Sequence, residues 1–163
     1  MTHMSSQTLT PVTMRRTLAG FATGLSVVAA EVDGRIVGMP ANSLSSLSLD
    51  PPLVSLAFAR TSTTWPALRN APRWGISVLT EKQAALLSAL RRPAGERFQG
   101  IDVSIDDGAV HVRDALATLT VRPHTVLEAG DHDLALLEVT DLFRHAARRP
   151  LVFFDSTTHQ LSH

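Results

Sequence analysis

Apolar residues along this chain recur mainly with the two-residue period or the short continuous runs of strands, separated by glycine, proline and hydroxyl residues. GLSVVAAEV (24–32) is rich in small and β-branched apolar residues, and Asp33-Gly34 then gives a strong short hairpin signal. RIVGM (35–39) runs back as its partner strand. PLVSLAFA (52–59) is nearly all apolar, as a strand covered on both faces would be, and WGISVLT (74–80) is a further strand. ALATLTVRPHTVLEAG (115–130) and HDLALLEVTDLFRH (132–145) read as two long strands joined at Gly130-Asp131, and LVFF (151–154) as a last one. Helical signals are short. TMRRTLAGF (13–21) suits a helix with Thr13 as its N-cap, and TSTTWPALRNAP a helix ended before Pro72. Thr80 opens a T-x-x-Q capping box that leads into one helix reaching about Arg92. The pattern predicts a mainly β fold, a closed antiparallel barrel with a few short helices, because hairpins and not helical crossovers join the strands. Residues 1–12 are polar and small and read as a flexible arm, leaving 13–163 as one domain with no repeat or interdomain linker.

Composition narrows the chemistry. At 163 residues the chain suits one sizeable core. A formal net charge of +0 gives no footprint for nucleic acid or an anionic membrane. With no cysteine, disulfides, thiolate nucleophiles and cysteine-ligated metals are excluded, and the histidines lack metal-ligand spacing. No apolar run is long enough for a membrane helix, and the first ten residues lack an apolar signal core, so a soluble, cytoplasmic protein is expected. G-x-G-x-x-G, the P-loop, H-E-x-x-H and G-x-S-x-G are all missing, which argues against a Rossmann dinucleotide site.

Three segments carry candidate chemistry. PANSLSSLSLDPP (40–52) reads as a loop in which Asn42, Ser43, Ser45, Ser46 and Ser48 offer short polar groups to a phosphate or to the polar edge of a ring; taken alone, it also reads as a solvated turn. Arg60, at a strand end and followed by Thr61, Ser62, Thr63 and Thr64, suits a phosphate clamp or a surface arginine beside a helix cap. Gly130-Asp131-His132 is a turn that places a histidine at a strand start, where it can serve a site or simply finish a hairpin. Trp65 and Trp74 are read as core.

Taken in order, MRRTLAGFATGLSVVAA, DGRIVGMPANSLSSLSLDPPLVSLAFAR, TSTTWPAL, WGISVL, GERFQGID and AGDHDLALLEV resemble the flavin reductase-like family with an FMN-binding split barrel. These are the reductase components of two-component flavin monooxygenases, and the resemblance covers about Met14 to Leu151. It implies a homodimer with flavin sites near the interface. Gly38, Met39, Pro40, Ala41, Asn42, Ser43, Ser45, Ser46 and Ser48 would hold the flavin ring and ribityl chain. Ala59, Arg60, Thr61, Ser62 and Thr64 would take the phosphate, with Arg97, Phe98 and Asp131 close by. His132 would face the nicotinamide as the catalytic-site histidine, and His159 is matched to a late histidine of the family. Two departures stand out: Pro40 replaces a usual threonine, and FFDSTTHQL lacks the family's glycine between aromatic positions.

The resemblance implies hydride transfer from NADH or NADPH to FMN or FAD, with reduced flavin supplied to a separate monooxygenase. Such a reaction asks the protein for alignment and for donors near growing negative charge, which explains the lack of a visible acid–base pair. The alternative is a flavin-binding member without reductase turnover, repurposed for a biosynthetic step or as an interaction module. A non-flavin β-barrel would require the ordered matches to be accidental.

Overall fold

A computed structural model describes residues 7–162. The part of the expected arm before residue 7 lies outside the described residues.

Helix α1 (Pro11–Leu18) starts earlier than its pattern predicted. Thr10, not Thr13, is the N-cap, because Pro11 is well suited to a first helical position where no N–H is needed. Thr13 closes the reciprocal box: its hydroxyl accepts from the Thr10 N–H at 2.9 Å, and its own N–H donates to Thr10 Oγ1 at 3.1 Å.

After α1 come β1 (Thr23–Gly24), β2 (Ser26–Val32) and β3 (Arg35–Ala41). Asp33 and Gly34 take φ of 51° and 74°, the paired positive angles of the expected two-residue hairpin turn. The serine segment is less of a loop than predicted. Residues 42–44 and the Asp50-Pro51 pair turn; between them β4 (Ser45–Leu49) is an edge strand whose Ser45 and Ser46 lie opposite Ser55 and Val54 of β5 (Pro52–Ala59). Hydroxyl residues are tolerated there because one side of the strand remains open to water.

Helix α2 (Trp65–Arg69) and β6 (Trp74–Val78) follow as read. The capping box at Thr80 forms, with the Gln83 amide oxygen accepting from the Thr80 N–H at 3.0 Å. It opens a single 3-10 turn, however, and helix α3 is confined to Leu86–Leu90. A hairpin that the hydrophobic pattern left unassigned, β7 (Val103–Asp106) and β8 (Ala109–Val112), turns at Asp107-Gly108. The long hairpin of β9 (Ala117–Ala129) and β10 (His132–Arg144) carries register shifts at Leu136/Leu137 and Val139/Asp141, which bend the paired ribbon. β11 (Leu151–Phe154) is followed by β12 (Thr157–Gln160), a strand not anticipated from sequence.

All pairings are antiparallel. One sheet runs β4-β5-β10-β9-β6-β2-β8-β7, with β3 attached to β2, and a second runs β1-β11-β12. The mainly β class follows the sequence pattern. Ser26 through Ala30 are buried in succession, because β2 separates two cores. Val28 and Ala30 join the cluster of Phe58, Trp65, Trp74 and Ile76, while Val27 joins Leu79, Leu90, Ile101 and Leu151. Phe58 stacks on Trp65 at 4.1 Å between centroids, and Trp74 meets both rings edge-on, so both tryptophans are core as read. Among the described residues, no helix is long and apolar enough to cross a membrane.

Candidate functional site

Strand pairing gathers much of the predicted set at one end of β5 and β10. Ala59 pairs with His132, and the Arg60 N–H donates to the Asp131 carbonyl at 3.0 Å. His132 is half exposed, with Nδ1 2.6 Å from Asp131 Oδ1. That hydrogen bond, helped by charge, holds the Asp131 carboxyl below its ordinary range.

A second group is assembled by Arg97. Its Nη1 donates to the Gly38 carbonyl at 3.1 Å and to Thr64 Oγ1 at 2.8 Å, while Nε donates to the Arg92 carbonyl at 3.1 Å. One guanidinium thus ties β3 to the start of α2. Phe98 lies against Gly38 so closely that a Cβ there would come within 2.8 Å of its ring. Ser62 joins the two groups: its N–H donates to the Ala59 carbonyl, and its hydroxyl accepts from the N–H groups of Thr64 and Trp65, each at 3.2 Å.

Members of the serine segment have different fates. Ser43 Oγ accepts from the Ala57 N–H at 3.0 Å and lies 3.4 Å from the Ala57 carbonyl, so it fastens the turn to β5. Ser45 Oγ reaches the Ser46 carbonyl at 3.4 Å, a weak contact. Met39, Pro40 and Ala41 lie in β3, which pairs only with β2, an edge location where proline is tolerated. The Asn42, Ser46, Ser48 and Thr61 side chains have no hydrogen-bond partner among the described residues, leaving an amide and three hydroxyls unspent beside β5. This donor and acceptor set fits the polar edge of a flavin ring and its chain.

His159 is not brought to this cluster by any hydrogen bond. It sits on β12 in the second sheet, where Nε2 lies 2.9 Å from Thr157 Oγ1 and 3.1 Å from the Phe154 carbonyl. A cavity of about 680 Å³ lies elsewhere, between the Thr80–Leu86 segment, Ile101 and Arg113, and no predicted site residue lines it.

The sequence reading missed Asp133. This residue is 6% exposed and its carboxylate accepts from Trp65 Nε1 at 2.8 Å, Arg60 Nε at 3.2 Å and Arg69 Nη1 at 3.3 Å. The indole hydrogen bond, then the Arg60 contact, outweigh burial and hold the carboxyl below its ordinary value of 3.8. Glu128 takes Arg60 Nη2 at 3.0 Å. Glu128 first, then Asp133, raises the Arg60 guanidinium above its ordinary range. The available signal was an aspartate in register with Ala135 and Leu137, the inward positions of β10. A buried acid there demands partners, and Arg60 was already singled out.

The chain matches the flavin reductase like domain over residues 14–162. It belongs to the flavin reductase-like family. A flavin reductase of Pseudomonas putida is 30% identical over 146 residues, covering 88% of this chain and 86% of the relative. The reductase component of a 4-hydroxyphenylacetate 3-monooxygenase from Thermus thermophilus is 36% identical over 140 residues, covering 86% and 89%. Two Rhizobium meliloti relatives are longer, and the chain spans 45% and 60% of them. Among solved structures, an NADH:FAD oxidoreductase of Streptomyces globisporus, in complex with NAD and FAD fragments, superposes with a TM-score of 0.89 at 28% identity, covering 96% of this chain and 98% of that one. The family match spans both sheets and every predicted site residue of this flavin reductase-like domain.

Proposed function

We propose that the protein is an NAD(P)H:flavin oxidoreductase that passes reduced FMN or FAD to a separate flavin-dependent monooxygenase. The observation that carries this reading is the series of unspent polar side chains, Ser48, Ser46, Asn42 and Thr61, strung along β5 from one end to the other inside a flavin reductase-like domain. When bound, the nicotinamide supplies a hydride and the flavin accepts it.

The chain's own work is placement. Asn42, Ser46 and Ser48, with the backbone of Gly38–Ala41, meet the polar edge of the ring; Ser43 holds that segment on β5, and Ser45 lies beside it on β4. Arg60, Thr61, Ser62 and Thr64 take the phosphate at the end of Ala59. Arg97 fixes β3 against the start of α2, and Phe98 packs on Gly38 of β3. Asp131 orients His132 toward the nicotinamide side. In this reading the larger sheet closes into a split barrel, residues 13–163 form one domain, and the protein works in the cytoplasm as a homodimer. Support for the dimer comes from α1, which buries no residue and leaves Val12, Met14 and Leu18 exposed together with Phe21.

Pro40 favours a second reading, a flavin-binding protein without turnover, because it removes one backbone donor from β3. Purified protein mixed with FMN or FAD, with NADH or NADPH absorbance followed under air, separates them. Rapid flavin-dependent loss of the nicotinamide signal is the expected result. Tight flavin binding without that loss selects the second reading, and no flavin binding overturns both.

A further inference from the structure

Arg60 is held by two carboxylates that differ in almost every physical respect. Asp133 is short, buried, and pinned by the Trp65 indole at 2.8 Å and by its place opposite Phe58 in the sheet. Glu128 is long, on β9, with its side chain 86% exposed. Asp133 occupies Nε and Glu128 occupies Nη2, while Nη1 has no partner among the described residues. The three groups line one open cleft of about 410 Å³ together with Trp65 and Arg69.

We propose that Asp133 is a positioning residue that fixes Arg60 for phosphate, and that Glu128 is a displaceable competitor occupying the guanidinium until phosphate arrives. This rests on the reading above that Arg60 meets the flavin phosphate. Unequal mobility decides the roles. An exposed ion pair contributes little, since solvent and side-chain entropy oppose it. A phosphate monoester carries nearly twice the charge of a carboxylate and more acceptor oxygens, so it displaces Glu128 from an arginine whose outer nitrogens face the cleft. Asp133 cannot leave in the same way. Removing it would leave Trp65 Nε1 buried without an acceptor, and its own charge is matched by Arg60 and Arg69. The inner edge of Arg60 therefore stays docked while the outer edge changes partner.

The test is the ratio of riboflavin to FMN dissociation constants, which isolates the phosphate contribution, measured by flavin fluorescence for wild type, E128Q and D133N. E128Q should raise the ratio about twofold to fivefold, the worth of an exposed pair. D133N keeps an oxygen for the Trp65 indole but removes the charge that holds Arg60, and should lower the ratio at least about threefold. In an R60A background, E128Q should change nothing. A merely structural role would weaken riboflavin and FMN by the same factor. An unchanged ratio in E128Q, or a ratio that D133N leaves equal or raises, overturns the proposal. Should D133N not fold, E128Q with its R60A control decides alone. Wild type binding both ligands equally sinks the proposal but leaves the flavin reading intact; wild type binding neither sinks the reading itself.

Discussion

Asn42 and Ser43 are adjacent in sequence and have opposite fates. Ser43 is spent on the Ala57 backbone, whereas the Asn42 amide is exposed and unpartnered among the described residues. Ser43→Ala should therefore cost about 1–2 kcal/mol of stability by leaving a half-buried N–H without its acceptor, seen as a lowered denaturant midpoint. Asn42→Leu should leave that midpoint within error and weaken flavin binding about tenfold. Equal loss of stability in both variants would remove Asn42 from the site. The sequence marked both residues as polar candidates but could not separate them, because the partner of Ser43 lies on another strand. Asp133 illustrates the same gap, and it carries a pH consequence. Its folded carboxyl is held below the ordinary 3.8, so its stabilising contribution is fully present above that value and is lost as pH falls from there through the lowered folded value. Thermal melts should show an Asp133-dependent loss of stability that sets in only as pH falls below about 4 in the wild type, and a flatter acid limb in D133N. Parallel limbs would show that other carboxylates govern acid unfolding.

Strand β6 depends on glycine for a reason that its own hydrophobic pattern does not reveal. A Cβ on Gly75 would stand 2.0 Å from the Val110 carbonyl oxygen of β8, a contact with backbone that no rotamer can relieve. A Cβ on Gly38 would meet Ala29 Cβ and the Val28 carbonyl at 2.6 Å, with the Phe98 ring at 2.8 Å. At Gly38 one of the three close contacts is backbone, at 2.6 Å, and Phe98 is half-buried and can give way; at Gly75 all three are backbone and the nearest is 2.0 Å. Gly75→Ala should thus destabilise by about 3 kcal/mol or more, and Gly38→Ala by about 1–3 kcal/mol. In Gly38→Ala the disturbance should also reach flavin affinity through Arg97, which donates to the Gly38 carbonyl. Urea unfolding and flavin titration of both variants check this, and a Gly75→Ala protein as stable as wild type would show that β6 and β8 do not approach so closely. Local signals of this kind worked where the cause was local. Asp33-Gly34 gave its hairpin, and Asp107-Gly108 has the same chemistry but flanks strands of four residues each, too short to stand out by alternation. β4 and β12 were missed because their residues are mostly polar and exposed, with Leu47 and Leu49 of β4 facing water, and pairing makes them strands.

At the scale of the whole molecule, α1 is the element that a single chain does not explain. Eight residues are too few for a helix to hold its shape in water by propensity and capping alone. None of them is buried, yet Val12, Met14 and Leu18 are 61%, 54% and 55% exposed and Phe21 is 74% exposed. One backbone hydrogen bond, from the Asp155 N–H to the Ala19 carbonyl, ties the end of α1 to the β11–β12 hairpin. A helix so loosely attached, with four apolar side chains exposed on it and just after it, calls for a cover, and in the proposed homodimer a second copy supplies it. Leu18→Glu combined with Phe21→Glu should then shift the protein from dimer to monomer in sedimentation velocity. Because the unspent side chains of the serine segment lie on an open edge and not in an enclosed cavity, the same double variant should also weaken flavin binding, with the urea midpoint becoming independent of protein concentration. A wild-type protein that sediments as a monomer at every concentration, with flavin affinity intact, would mean that one chain completes the site and that α1 has another cover.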